Sequence, residues 1–351
     1  MKQAKTLDEL LAEIVRMDEQ KQDYVVSESS TRMLSSGEIQ IRLGNNSREL
    51  KPTETFENQL AEALGIPKRY YSKMKEESPD LLVNNVNHWL ERGVRSHVVR
   101  ELDGYGRAFL SANYRSIDNY EVAETVIPMI LNTEGVHVAS CEVTSERLFI
   151  KAVNERVSGE VKKGDIVQAG FFVGNNEVGF GALTIQPMIY RLACENGMIT
   201  GERFYKGFSR RHVGGRLEEA WDVFSDDTKR LSNTAILSQV ADIVSTLGDP
   251  ARFSKLVEIM QNASDWQITS DVVELVGKVQ KDYMLSKEEN SGVLQHLLRE
   301  GELSLYGLAN AITRTAQDVS SYTRSTELEV LGFELLSMSS LKWGALNARA
   351  A

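Results

Sequence analysis

The sequence contains only two cysteines, Cys141 and Cys194, which lie 53 positions apart without a second pair at metal-binding spacing. Such sparse cysteine excludes a disulfide-stabilised scaffold and predicts a reducing compartment, so we expect a cytoplasmic location. Long apolar runs are also absent, because no 18 consecutive apolar residues occur and the N-terminus spaces its apolar residues as a helix does. We therefore expect neither a membrane span nor a secretory signal.

Several enzyme motifs are missing as well. There is no phosphate-binding GxxxxGK[ST] loop, no GxSxG nucleophile elbow and no HExxH metal motif. The five histidines are scattered rather than paired at ligand spacing, so we predict no metal and no cofactor. Cys194 beside Glu195 could act as a nucleophile near His212, but a buried small apolar residue explains it more simply. The sequence thus favours a protein that is not an enzyme, with an enzyme of unrecognised site as the alternative.

The composition that is present fits a globular chain with more than one region. Its 351 residues exceed the usual single-core limit of roughly 250 to 300 residues, and 42% hydrophobic and 26% charged residues are typical of folded proteins. We predict an α+β fold with an antiparallel sheet core and packed helices, followed by a mostly helical C-terminal region. The predicted regions are an N-terminal helical region with a short β element (1–93), an antiparallel β-rich core (94–216) and a helical, acidic C-terminal region (217–351).

Local patterns place the individual elements. Thr6 followed by Glu9 forms a capping box, which predicts a first helix from Leu7 onward. Asp103-Gly104 between two alternating apolar runs predicts a β-hairpin, because both residues tolerate the positive φ angles of a tight turn. The later predicted strands span residues 136–143, 146–153, 166–173 and 180–186, and the predicted C-terminal helices lie near 228–247, 251–262, 270–284, 292–300 and 304–321.

The formal net charge of −10 is unevenly distributed along the chain. Residues 191–216 contain six Lys or Arg against two acids, whereas residues 217–351 contain 12 Lys or Arg against 20 acids. Cations alternate with aromatics in the first range, which we call the basic segment; cations bind phosphates and aromatic rings stack on unpaired bases. The alternative is that its aromatics lie in the core and its cations form a solvated rim. The predicted nucleic-acid-binding residues are Arg191, Arg203, Phe204, Tyr205, Lys206, Arg210, Arg211 and Arg216.

Three stretches resemble a known family: residues 107–119, residues 175–179 (Asn-Asn-Glu-Val-Gly) and residues 190–198. They are similar to phage/plasmid-like proteins that contain domain of unknown function 932, over roughly residues 50 to 330. The family commonly has Ser where this chain has Asn176. The resemblance implies a mobile-element setting and transfers no catalytic residue. The motif positions are Asn175, Asn176, Glu177 and Gly179, and a tight turn with a side-chain cap explains them as well as a binding site does.

The resemblance and the basic segment together suggest a function. The first hypothesis is a single-stranded nucleic-acid-binding protein of phage or plasmid origin, and its most specific form is a homo-oligomeric DNA strand-annealing or recombination factor in a bacterial or infected cell. The alternative is a protein-interaction module whose acidic tail inhibits or modulates a host defence protein. Acidic helices that covered the basic segment would remove the charge argument for the first hypothesis.

Overall fold

The computed structural model describes residues 1–2, 4–114, 116–179, 181–201, 208–211, 226–246 and 249–348. Within these ranges the chain has the predicted α+β fold, in which two mostly antiparallel sheets precede a helical C-terminal region. Among the described helices, none combines the length and the apolar character that crossing a bilayer requires.

The first helix, α1 (Leu7–Gln20), begins where the sequence predicts. The Thr6 hydroxyl accepts a hydrogen bond from the Glu9 N–H, and the Glu9 carboxylate accepts one from the Thr6 N–H at 2.8 Å. The capping box is therefore complete. The apolar stripe of α1 is buried at Leu10 and Ile14.

The first sheet has six strands in the order β1-β5-β6-β4-β3-β2. Strands β4 and β6 run parallel, and the other pairs are antiparallel. The predicted hairpin is confirmed as β5 and β6, with positive φ angles at Asp103 (54°) and Gly104 (81°). Because β1 pairs with β5 along its whole length, the predicted division between residues 93 and 94 falls inside this sheet. The strands are β1 (Gln22–Ser27), β2 (Thr31–Met33), β3 (Ile39–Leu43), β4 (Asn46–Pro52), β5 (Ser96–Leu102) and β6 (Tyr105–Ser111).

Three helices that follow β4 cover this sheet. Phe56 and Leu60 from the first of them, and Val86 from the third, share an apolar core with Ile41 and Val99 of the strands. The burial of these apolar side chains fixes the helices on one face of the sheet. The helices are α2 (Glu54–Ala63), α3 (Lys68–Glu77) and α4 (Pro79–Arg92).

The second sheet follows helix α5 (Asn119–Asn132) and has longer strands. Its order is β11-β10-β9-β8-β7, and β12 also pairs with β10. All these pairs are antiparallel. The strands are β7 (Val136–Val143), β8 (Arg147–Lys162), β9 (Asp165–Asn176), β10 (Ala182–Arg191), β11 (Asn196–Ile199) and β12 (Phe208–Arg211).

The C-terminal region is helical, and its helices are not a separate unit. Helices α7 to α12 share one apolar core with Val167, Ala169, Ile189 and Met198 of the second sheet. The prediction missed α11, of whose 15 residues ten are buried. A helix buried on most sides has little of the polar and apolar alternation that sequence analysis detects. The helices are α6 (Asp226–Thr246), α7 (Pro250–Asp265), α8 (Val272–Asp282), α9 (Lys287–Glu300), α10 (Leu305–Thr315), α11 (Tyr322–Leu336) and α12 (Ser340–Leu346).

The second sheet is covered differently on its two sides, because successive side chains of a strand point to opposite faces. One side, which we call the α5 face, is packed by α1, α5 and α6. The other, the α11 face, is covered in part by α11, with Phe149, Phe172 and Tyr322 in a small apolar cluster. Apolar residues of the strands on the α5 face are Leu148, Ile150, Ala152, Phe171, Val173, Leu183 and Ile185.

Candidate nucleic-acid interface

The basic segment is only partly described by the structure. The backbone of residues 208–211 is strand β12, which includes the predicted residues Arg210 and Arg211. The other predicted residues after Arg191 lie outside the described residues: Arg203, Phe204, Tyr205, Lys206 and Arg216.

Among the described strands, β12 lies at an edge of the second sheet, because it pairs with β10 alone. Its backbone pairs with β10 in a register that sets Phe208 opposite Ile185 and Arg211 opposite Ala182. Strand β11 pairs with the other end of β10, from Met188 to Arg191. The two short strands therefore lie end to end along one side of β10. The side chain of Ser209, in the middle of β12, is exposed.

Arg191 has a different environment from that expected of a phosphate ligand. Its Nε donates to Asp165 at 2.7 Å and its Nη1 to Glu300 at 3.2 Å, and its guanidinium lies 5.5 Å from the ring centre of Tyr306. Burial alone would lower the pKa of Arg191, but Asp165 and its neighbours more than offset it and raise that pKa. Two carboxylates already compensate this charge, so a phosphate at Arg191 would have to compete with Asp165 and Glu300.

The motif residues Asn175 and Asn176 end β9, and Gly179 lies in the tight turn that follows it. The Asn175 side-chain amide donates to the Ile117 carbonyl at 2.9 Å, and the Asn176 side-chain oxygen accepts from the Val178 N–H at 3.0 Å. Gly179 has a φ of +87°, and a Cβ there would lie 2.4 Å from the Leu110 side chain. These contacts account for the three residues by the geometry of the turn.

Glu177 joins the turn to the first sheet and to α5. Its carboxylate accepts from Arg107 Nη1 at 3.1 Å and from the backbone N–H of Asn119 at 2.6 Å. Its carbonyl accepts from Arg100 Nη1 at 2.9 Å. Glu177, Arg100 and Arg107 are all buried, so this network joins the end of β9 to the first sheet and to α5 out of contact with solvent.

Arg100 extends this junction to two aspartates. Its Nε donates to Asp23 at 3.0 Å and its Nη2 to Asp118 at 2.7 Å, and Lys21 also binds Asp118. Burial alone would raise the pKa of Asp118, but Arg100 and Lys21 more than offset it, so that pKa lies well below its ordinary value. Asp118 therefore remains ionised at the start of α5.

A groove of about 360 Å³ lies on the α11 face, between α11 and strands β8, β9 and β10. Phe149 and Phe172 line its floor, with ring centres 6.4 Å apart. The Phe172 ring lies across Gly174, where a Cβ would be 2.7 Å from the ring. The α11 wall includes Thr326, whose buried hydroxyl has no hydrogen-bond partner among the described residues.

One end of the groove is cationic and the other adjoins β12. Arg147 lines the first end, and its guanidinium makes no hydrogen bond or ion pair with a described residue. Ala182 and Thr184 of β10 line the second end, and their backbones pair with Arg211 and Ser209 of β12. The groove and the basic segment are therefore neighbours. Sequence analysis did not single out Arg147, because an isolated arginine at the start of a strand has no local pattern that distinguishes it.

A buried ion pair attaches α11 to the sheet beside this groove. Lys151 Nζ of β8 lies 2.5 Å from Glu329 of α11, and both side chains are fully buried. Lys151 also lies over the Tyr322 ring, whose hydroxyl bonds to Ser140 at 2.6 Å. Burial lowers the pKa of Lys151, and Glu329 opposes that effect.

Two other candidate sites in the described part of the chain, a second cavity and the cysteines, offer fewer groups that could bind a nucleic acid. A cavity of about 620 Å³ on the α5 face is lined mainly by α5, α6 and β9 and includes a single described cation, Arg252. Cys141 and Cys194 are free thiols, and burial raises the pKa of Cys194, which disfavours a thiolate. His212, the predicted neighbour of Cys194, lies outside the described residues. In the described ranges, no three His, Cys, Asp or Glu side chains are grouped to hold a metal ion.

A family model described as a domain of unknown function (DUF932) matches residues 108–329, which is more than half of the chain. The matched range begins in β6 and ends in α11, so it includes the motif turn, the basic segment and the described lining of the groove except Val330. No curated protein and no solved structure matches the chain.

Proposed function

The chain belongs to the DUF932 family, and we propose that it binds single-stranded nucleic acid along the outer edge of its second sheet. The position of β12 is the observation that best supports this proposal. This strand is part of the basic segment, and it pairs with β10 at the sheet edge beside the groove. A segment at an edge is accessible to a ligand along one side, whereas a central strand has neighbours on both.

The composition of the basic segment favours single strands over duplex. Each phosphate that Lys or Arg neutralises releases counterions, so affinity falls as salt rises. Unpaired bases gain further stabilisation by stacking on aromatic rings such as those of Phe204 and Tyr205. Bases inside a duplex are already stacked and paired, so aromatic side chains add little for them. The proposal relies on the segment after Arg191, because the charge of Arg191 is already compensated.

We further propose a phage or plasmid setting, in which the protein acts as a cytoplasmic homo-oligomer in strand annealing or recombination. The family resemblance supports this setting. Pairing of complementary strands is itself downhill, by about 1.4 kcal/mol per base-pair step. An annealing protein therefore needs neither a catalytic residue nor a cofactor.

The alternative, a module that binds a host protein through its acidic tail, has weaker support. Helices α7 to α12 share their core with the second sheet, including Val167 and Met198. A tail fragment that lacks the sheet would expose this apolar surface, so the alternative is best tested with the full chain.

The test is fluorescence anisotropy of labelled single-stranded and duplex oligonucleotides at several salt concentrations. The wild-type protein should bind single strands more tightly, with affinity that falls as salt rises. The double variant Arg210→Ala/Arg211→Ala should bind more weakly, and the slope of log affinity against log salt should fall by about 1.4, since each single-strand phosphate contact contributes about 0.7.

The matched control is Arg69→Ala/Lys73→Ala, which removes two exposed cations from α3 on the first sheet. This control should leave both affinity and salt slope unchanged. Absence of binding by the wild-type protein at low salt would refute the proposal. Equal losses in the two double variants would refute the assignment of the binding edge.

A further inference from the structure

We infer that the groove between α11 and the second sheet binds one unpaired base of the strand, and that Arg147 contacts a phosphate beside that base. This inference rests on the proposed function and assigns residues to a site that the basic segment alone does not include. Its evidence comes from the shape of the groove, its polar groups and its neighbours.

The floor of the groove suits a flat, uncharged ring. Phe149 and Phe172 are the aromatic residues that line it, and Val330 of α11 adds an apolar wall. An apolar floor penalises a bare phosphate, which would lose its hydration without a compensating partner. A base has a π face that stacks on aromatic rings, so the floor favours a base over the backbone.

The wall of the groove offers a polar partner for the edge of a base. Thr326 is only 7% exposed, and its hydroxyl has no hydrogen-bond partner among the described residues. A buried hydroxyl without a partner destabilises a folded protein by about 1–3 kcal/mol, so such groups are uncommon. The edges of all four bases have donors or acceptors, and a hydroxyl can serve as either. One bound base would therefore satisfy Thr326.

The charges at the two ends of the groove match a strand that crosses it. Arg147 lines one end without an ion-pair partner in the described part of the chain. Among the described residues that line the groove, the one acid is Glu327, and Arg324 of α11 pairs with it at 2.9 Å, so it does not cancel the charge of Arg147. At the other end, Ala182 and Thr184 pair with the β12 backbone. A base in the groove would thus have its flanking phosphates between Arg147 and the basic segment. This continuity with the proposed binding edge identifies an unpaired base, rather than a peptide or a second copy of the chain, as the occupant.

The experiment compares two single strands of equal length, an oligothymidine and a fully abasic strand, which have the same phosphates. The wild-type protein should bind the thymidine strand about fivefold to 150-fold more tightly per stacked base. Thr184→Leu, which fills the groove, should reduce the ratio of the two affinities at least fivefold. Thr326→Val, which removes only the hydroxyl, should reduce it about threefold. Thr133→Leu, which fills the cavity on the α5 face, is the matched control and should leave the ratio unchanged.

Photocrosslinking of a 5-iodouracil strand to the wild-type protein gives a second measurement that needs no variant. The expected adducts lie on the peptides containing Phe149 or Phe172. An unchanged affinity ratio in a folded Thr184→Leu variant would overturn the base site and leave the proposed function intact. If that variant does not fold, adducts found only outside the groove would overturn it. Failure of the wild-type protein to bind either strand would instead refute the proposed function.

Discussion

The two faces of the second sheet differ in how the side chains of the same strands are packed. On the α5 face, Ile150 and Val173 pack against α5, α1 and α6 in a continuous apolar core. On the α11 face, the next residue of β8, Lys151, is buried in an ion pair, and a groove remains open beside α11. Apolar burial stabilises the fold, whereas a buried ion pair often contributes little net stability. The α5 face is thus apolar core, whereas the α11 face keeps the groove in which we propose binding.

The largest effect should come from breaking the ion pair of the α11 face. Lys151→Met leaves the buried Glu329 carboxylate unpaired and should lower the free energy of unfolding by about 3–5 kcal/mol. Lys151→Met/Glu329→Leu removes both charges and should recover most of that loss. Urea unfolding at neutral pH measures both variants, and a double variant as unstable as the single one would contradict the explanation.

The matched control on the α5 face is Ile150→Val. This variant removes one methylene from a fully buried side chain and should cost about 0.5–1.5 kcal/mol. It should leave single-strand affinity unchanged, because Ile150 points away from the groove. A loss of affinity here as large as that in groove variants would erase the proposed difference between the faces.

Acid should destabilise the start of α5, which is one of the helices that cover the α5 face. The pKa of Asp118 is lower in the folded protein than in the unfolded one. Its contribution to the free energy of unfolding is therefore complete above the unfolded pKa near 3.8, and it is lost as the pH falls through the lower pKa of the folded state. Asp118→Asn should lower the free energy of unfolding at pH 7 by about 2 kcal/mol and reduce its acid dependence below pH 4. Urea unfolding across this range compares the variant with the wild-type protein. Equal acid slopes would show that other carboxylates determine the response.

The smallest effect concerns the cationic end of the groove. Arg147→Ala should reduce the salt slope of single-strand binding by about 0.7, with no change in the ratio of affinities for thymidine and abasic strands. Stability should change by less than about 0.5 kcal/mol, because Arg147 has no ion-pair partner among the described residues. An altered base preference would place Arg147 against a base rather than a phosphate.

Local patterns made much of the fold predictable from the sequence. Thr6 and Glu9 cap α1, and Asp103 and Gly104 form the hairpin turn, because each depends on residues a few positions apart. The predicted boundary at residue 93 lies between β1 and β5, which pair with each other although they are about 70 residues apart in the sequence. No local pattern specifies such a pairing.

The candidate site was less predictable, because long-range partners decide what each charged residue can bind. Arg191 has the same local composition as the rest of the basic segment, yet Glu300, which lies 109 positions later, helps to compensate it. Arg147 has no such partner among the described residues, and it lines a groove whose other wall is α11, a helix that the sequence did not predict. The prediction for Arg203, Phe204, Tyr205, Lys206, Arg210, Arg211 and Arg216 stays a prediction.

The contacts of Glu177 indicate that the range matched by the family model does not correspond to an independently folding unit. The family match begins at residue 108, immediately after Arg107 and beyond Arg100. A fragment confined to residues 108–329 would keep the buried Glu177 and the partly buried Asp118 but lose Arg107 and Arg100, which pair with them. Uncompensated buried charges of this kind destabilise a protein by several kcal/mol each. The strands upstream of the match are therefore part of the same cooperative structure, and an autonomous version of the domain has to include them.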